Sequence, residues 1–245
     1  MIQTAIFHSV NAGLYFYTGK TGIWIDGIHQ GAENGFSMMP IELVRQLYAH
    51  SGLFSKTDGF LFTHLHSDHF DRLLLQQAVA ASKQVKIYGP GLSLNSFSPS
   101  EVWDGLKRFE IGDVEVFAFE STHDGNCFHN VPHESFVLRV GTDCFFVAGD
   151  AMLFPEQANL LLRCGCSSVE SAFINAYQLS SEGGNKFLQI LSPKRIFLYH
   201  LPFPDDDQYG YYQMRDRSIR NCPQGLPAPE IPPLMQWIDR INGLQ

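Results

Sequence analysis

The run Thr63-His64-Leu65-His66-Ser67-Asp68-His69 places four side chains able to bind metal, His64, His66, Asp68 and His69, within six residues. Imidazole and carboxylate are the ligands a protein uses when metal must generate hydroxide near neutral pH, held rigidly with coordination positions left open. If the run follows a buried strand and precedes a helix, His64 and His66 turn to one side of the loop while Asp68 and His69 point to another. One short segment then serves two neighbouring metals. A lone histidine is more often a hydrogen-bonded core or surface residue. Four ligand-type residues together are different, because burying so many uncompensated polar groups is costly.

Three further residues repeat the setting of a ligand-type side chain after an apolar strand. His123 follows Val114 to Phe119 through Glu120-Ser121-Thr122, Asp150 follows Phe145-Phe146-Val147-Ala148-Gly149, and His200 follows Ile196 to Tyr199. Strand carboxyl ends line the site in layered α/β proteins. His129 and His133 are close enough in sequence to compete with His123. The strand-end argument favours His123, and His133, which with Glu134 opens the next strand, is expected to face substrate.

Alternating elements must position these residues. Thr4 to Phe7, Leu14 to Tyr17 and Ile23 to Asp26 read as a strand meander, followed by a helix over Pro40 to His50 with Ile41, Val44 and Tyr48 on one face. The strand Gly59 to Thr63 runs into the histidine cluster. Phe70, Leu73, Leu74, Ala78 and Ala81 recur at helical spacing before a strand at Val85 to Tyr88. Ser135 to Val140 and Cys144 to Ala148 form a hairpin across Gly141-Thr142-Asp143. A helix at Pro155 to Arg163, a strand at Ala172 to Asn175, a helix near Asn185 to Leu191 and a strand at Arg195 to Tyr199 follow. The economical packing is α+β, a four-layer αββα sandwich in which two sheets face each other with helices outside. Residues 201–233 hold seven prolines and Asp205-Asp206-Asp207, and are expected to form a long loop near the active site before a C-terminal helix at 234–243.

With its HxHxDH run followed in order by a single His, a single Asp and a last His at strand ends, the chain from about Ile23 to His200 resembles the metallo-β-lactamase-fold superfamily. The resemblance implies one metallo-β-lactamase-like domain over 1–245, in which His64, His66 and His123 hold one metal, Asp68, His69 and His200 hold the other, and Asp150 bridges both. It implies two divalent ions, zinc first, with manganese or iron as alternatives. It further implies a hydroxide shared between them as nucleophile, with Asp68 orienting it or moving its proton. The two-zinc β-lactamases carry Cys where this chain has Asp150. Thioesterases of the glyoxalase II kind have a PGHTxG context where this chain reads Ser121-Thr122-His123-Asp124-Gly125. The lactonase and phosphodiesterase branch is the nearest in pattern, implying hydrolysis of a small ester, lactone or phosphodiester. Two other classes stand beside it, a metal-binding sensor or scaffold without turnover and an iron-dependent redox enzyme.

Composition narrows the partners. A net charge of −8 disfavours nucleic acid, which needs a basic face to displace counterions. No run reaches a membrane span, and Met1 to Tyr17 lacks the pattern of a secretion signal, so a cytoplasmic protein with a small-molecule substrate is expected. A homo-oligomer is compatible with exposed aromatics. Cys127, Cys144, Cys164, Cys166 and Cys222 show no CxxC spacing and read as reduced thiols, with Cys164 and Cys166 packing after Leu160 to Leu162. Arg215, with Arg217 and Arg220 around Asp216, is a candidate grip for an anionic substrate, against the competing reading of a solvated charged loop.

Overall fold

A computed structural model describes residues 4–31, 35–80 and 84–239. The chain opens with an antiparallel meander, β1 (Ala5–His8), β2 (Leu14–Tyr17) and β3 (Gly22–Ile25), to which β4 (Gly59–Leu61) and β5 (Lys86–Tyr88) add in parallel. Helix α1 (Ile41–Ala49) lies between β3 and β4, and α2 (Arg72–Ala80) between β4 and β5. A second sheet begins with five antiparallel strands, β6 (Ser100–Trp103), β7 (Leu106–Ile111), β8 (Val114–Glu120), β9 (Glu134–Val140) and β10 (Asp143–Val147). It continues in parallel with β11 (Val169–Ile174) and β12 (Arg195–Leu198). Helix α3 (Pro155–Arg163) precedes β11, and α4 (Ala176–Ser180) and α5 (Glu182–Leu191) connect β11 to β12. Helix α6 (Tyr211–Arg220) and strand β13 (Gln236–Asp239) follow. The sheet orders are β13-β1-β2-β3-β4-β5 and β12-β11-β10-β9-β8-β7-β6.

Three buried clusters define four layers. Phe16, Ile23, Ile25 and Leu61 of the first sheet meet Val116, Phe136, Phe145 and Phe173 of the second. Trp24, Phe60 and Phe62 face outward against Leu43, Leu47 and Leu75 of α1 and α2. Phe119, Phe146 and Ile174 do the same against Leu161, Phe187 and Leu188 of α3 and α5. Both faces of each central strand are therefore covered, so β4 reads as an unbroken buried run without polar alternation. This is the αββα sandwich that the alternation of elements predicts.

Four local expectations need correction. The buried face of α1 is Leu43 and Leu47, with Ile41 and Tyr48 exposed, because the outer surface of the sheet takes the leucine pair. Ala81, assigned to the second helical face, lies outside the described residues, and Leu73 is exposed. Residues 201–233 are not one loop: they contain α6, started by the Asp207 carboxylate, which accepts hydrogen bonds from the backbone N–H groups of Gly210, Tyr211 and Tyr212. The segment expected as a C-terminal helix at 234–243 instead contains β13. Pairing with β1 and packing of Trp237 on Phe7, ring centroids 5.6 Å apart, outweigh a weak helical pattern; residues 240–243 lie outside the described part.

Candidate metal centre

The four turns carrying the ligand-type residues lie beyond the carboxyl ends of β4, β8, β10 and β12, and they meet. The donor atoms of His64, His66 and His123 lie within 4.8 Å of one another, as do those of Asp68, His69, Asp150 and His200. Between the groups, Asp150 Oδ2 is 3.5 Å from His69 Nε2, 3.8 Å from His123 Nε2 and 3.9 Å from His64 Nε2. All seven are buried except His66, which faces a cavity.

The surroundings decide where each ring carries its proton. His123 Nδ1 is 2.7 Å from the Asp124 carbonyl, which can only accept, so the proton sits on Nδ1 and Nε2 presents a lone pair. Thr63 Oγ1 donates to Asp26 Oδ2 at 2.7 Å and therefore accepts from His64 Nδ1 at 3.1 Å, leaving His64 Nε2 bare as well. These two atoms, 3.3 Å apart, lie 3.1 and 3.0 Å from His66 Nδ1. On the other side, His69 Nδ1 donates to Asp26 Oδ2 at 3.0 Å, and its Nε2 is 3.1 Å from His200 Nε2. The inward-facing lone pairs of His64 and His123 repel at such distances unless a cation lies between them, while His69 Nε2 and His200 Nε2 both lie against Asp68 Oδ2, at 3.3 and 3.0 Å. Asp150 Oδ1 is buried and makes no well-aligned hydrogen bond among the described residues, although His200 Nδ1 lies 3.3 Å away. A donor set of this kind fits divalent metal ions.

Charge points the same way. Burial alone would raise the Asp68 and Asp150 carboxyls, but His69 and His200 hold both well below the usual carboxylate range. Burial would lower His69, and Asp68, Asp26 and Asp150 override it, holding the imidazole protonated well above its ordinary range. Burial and neighbouring imidazoles push His64 well below its usual value, so it stays neutral and ready to coordinate. Burial would lower His123 too, and Asp124 and Asp150 raise it instead, so three buried carboxylates face two imidazoles of raised proton affinity, a remaining imbalance that bound dications would remove.

Backbone conformation places the donors. His200 has φ 62° and Asp26 φ 51°, a left-handed conformation that non-glycine residues adopt at the cost of strain. Gly149 has φ 60°, and a Cβ there would lie 2.7 Å from His133 Nε2 and from the Thr63 side chain. Only glycine lets the turn after β10 pass between them.

His133 stands behind the centre and borders a separate cavity, beside Ser121 and Lys107, not the one over the donors. Its Nε2 accepts from the Asp150 backbone N–H at 3.0 Å, and its Nδ1 is 2.7 Å from Ser121 Oγ. Burial pushes it down to about 3, against the pull of Asp150, so the ring is neutral. Arg215 is not brought to the cavity: its guanidinium pairs with Asp216 at 2.6 Å and lies over the Tyr212 ring. Asp26 is the residue that sequence reasoning missed. It follows β3 as the other donors follow their strands, and its carboxylate holds His69, Thr63 Oγ1 and the Thr63 N–H. His29 was missed too; it is buried with neither ring nitrogen hydrogen-bonded among the described residues.

No protein-family model and no curated protein matches the sequence. Solved structures do match in shape. The metallo-β-lactamase fold protein YhfI from Bacillus subtilis superposes with a TM-score of 0.62 at 12% identity, over 96% of this chain and 97% of that one. A metallo hydrolase from the archaeon Ignicoccus hospitalis gives 0.58 at 15%, over 96% and 97%. CmlA, a diiron β-hydroxylase from Streptomyces venezuelae, gives 0.62 at 14%, over 97% of this chain and 54% of CmlA. At such identities the likeness concerns architecture, and with two packed sheets and donors at four strand ends, the architecture of this chain is the metallo-β-lactamase fold.

Proposed function

We propose that the chain is a binuclear metal-dependent hydrolase of a small ester, lactone or phosphodiester. One observation carries the reading: the donors form the floor of an open cavity of about 670 Å³, to which His66, Asp68, His123, Asp150 and His200 all contribute surface. A structural metal site is closed, whereas a catalytic one keeps a position open to substrate, and a scaffold or sensor has no need of that opening. His64, His66 and His123 would hold one ion and Asp68, His69 and His200 the other, with Asp150 within reach of both donor groups. Two zinc ions, when bound, supply a water of lowered pKa and a Lewis acid for the reacting oxygen.

The chain's own groups do the rest. Asp68 reaches the cavity, where its carboxylate accepts a hydrogen bond from attacking water and holds its proton. Asp26 and the Asp124 carbonyl fix the orientation of His69 and His123. The cavity volume suits a small-molecule partner.

The test is to load purified protein with zinc, manganese or iron, count ions by plasma mass spectrometry, and assay p-nitrophenyl phosphodiesters, lactones and thioesters. Two ions per chain with hydrolysis abolished by chelator is expected. A protein holding two ions yet inert across the panel would sink the reading and favour a scaffold. A second reading, oxygen chemistry at two irons, draws on the sulfur-free donor set and on the shared fold with a diiron hydroxylase. Iron in the purified protein, with oxygen consumption and no hydrolysis, would select it.

A further inference from the structure

The floor of the cavity binds the reacting group; its walls read the rest of the substrate. No lysine or arginine lines it among the described residues, and besides the donors and the tyrosines its titratable wall residues are Asp124 and His129. The walls are aromatic instead. Phe36 is buried against both the His200 and Tyr211 rings, with centroids 4.4 and 4.7 Å away, the latter pair stacked at 24°. Phe128 packs at 5.0 Å from His66 and 5.2 Å from His123. Each donor group therefore has an aromatic ring beside it.

Around the mouth, Phe128, Tyr177, Tyr209 and Met214 are 39%, 46%, 66% and 44% exposed. A soluble surface rarely gathers so much bare apolar area without a ligand or partner. Tyr209 is also held in place: a Cβ on Gly35, itself at φ 75°, would meet the ring at 2.5 Å. That contact ties the segment before α6 to the loop after β3. Arg215, the candidate for gripping an anion, is turned to Asp216.

Resting on the hydrolase reading, we infer that the substrate is a neutral carboxylic ester or lactone bearing a flat apolar, aromatic group, and not an anionic phosphodiester. Flat rings gain most from aromatic walls by stacking and edge contacts. A second anionic group on the substrate would find no lysine or arginine among the described wall residues, only the His129 imidazole, and would face Asp124. In the reaction, water adds its oxygen to the acyl carbon and the acyl–oxygen bond breaks. One water proton leaves with the alcohol and the other is released as the acid ionises.

The test separates binding from turnover. Chelator-treated protein, which cannot hydrolyse, is titrated by calorimetry with 2-naphthyl acetate, with methyl acetate and with bis(4-nitrophenyl) phosphate. The naphthyl ester is expected to bind at least about tenfold tighter than either of the others. Tyr209→Ser and Tyr177→Ser, surface changes that spare the core, are expected to weaken it about fivefold each, with the ion count of the reloaded protein unchanged. Equal binding of the phosphodiester or of methyl acetate overturns the inference, and so does indifference to both substitutions. If the reloaded protein binds the naphthyl ester in this pattern but hydrolyses none of the panel, the hydrolase reading falls while the inference about the walls stands.

Discussion

The two halves of the donor cluster are built differently. One is made of imidazoles alone, His64, His66 and His123, with His66 the most exposed of the seven; the other sets Asp68 and Asp150 beside His69 and His200, all buried although Asp68, Asp150 and His200 still border the cavity. Their outer partners differ in the same sense. A carbonyl orients His123 and a hydroxyl orients His64, whereas a buried carboxylate, Asp26, orients His69. A charged partner raises the basicity of a ligating imidazole more than a neutral one does, and ligand carboxylates add direct attraction for a dication. On the two-ion reading, the buried half is expected to be the tighter subsite and the imidazole half the one that yields its ion first.

Asp150 is the point where the contrast disappears, because it approaches both groups. Asp150→Asn is expected to have the largest effect, leaving fewer than one ion per chain by plasma mass spectrometry and lowering activity beyond the ~10–100-fold typical of an outer partner. Retention of two ions would remove Asp150 from the shared position. His66→Ala tests the contrast itself. It should leave one ion per chain, in the buried half, with activity strongly reduced; loss of both ions would show that the halves do not fill independently.

Asp26→Asn comes next. Asparagine tolerates the left-handed backbone at this position and can still accept from the Thr63 N–H, so the change mainly removes the negative charge behind His69. Affinity of the buried half should fall ~10–100-fold in a competition titration with a chelator, and the imidazole half should change less. Equal losses in both halves would erase the distinction drawn between them.

The imidazole-rich run and the lone His and Asp residues after strands were legible because both signals are local: an apolar run, then a ligand type. Asp26 obeys the same rule, but a single Asp after a strand is no local sign of a ligand shell. What makes it part of the centre is the parallel pairing of β3 with β4, which brings it to Thr63 across 37 residues of chain. The ranking of His123 over His133 rested on strand ends, and the geometry has His133 supporting the turn of Asp150 from behind. Residues 201–233 were opaque because proline density masked α6, whose start depends on an Asp207 carboxylate meeting three backbone N–H groups. Tyr177, Phe36 and Tyr209 come from separate segments, so no local pattern could place them around one mouth.

The smallest effect should come from Ser121. Asp150 N–H donates to His133 Nε2, which requires the proton on Nδ1; that proton goes to Ser121 Oγ at 2.7 Å, Ser121 Oγ–H points to Ser135 Oγ at 3.2 Å, and Ser135 donates to the Ala148 carbonyl at 2.8 Å. Every member donates in one direction, so the chain admits one tautomer and one orientation for the ring behind Asp150. Ser121→Ala removes the acceptor for His133 Nδ1–H, costing about 1 kcal/mol for an unmet buried donor. Because His133 acts through the shared ligand, the resulting loosening, about fivefold in metal affinity, should fall equally on both halves. A loss confined to the buried half would mean that His133 supports that subsite alone, and the turn of Asp150 would no longer be the element joining the two.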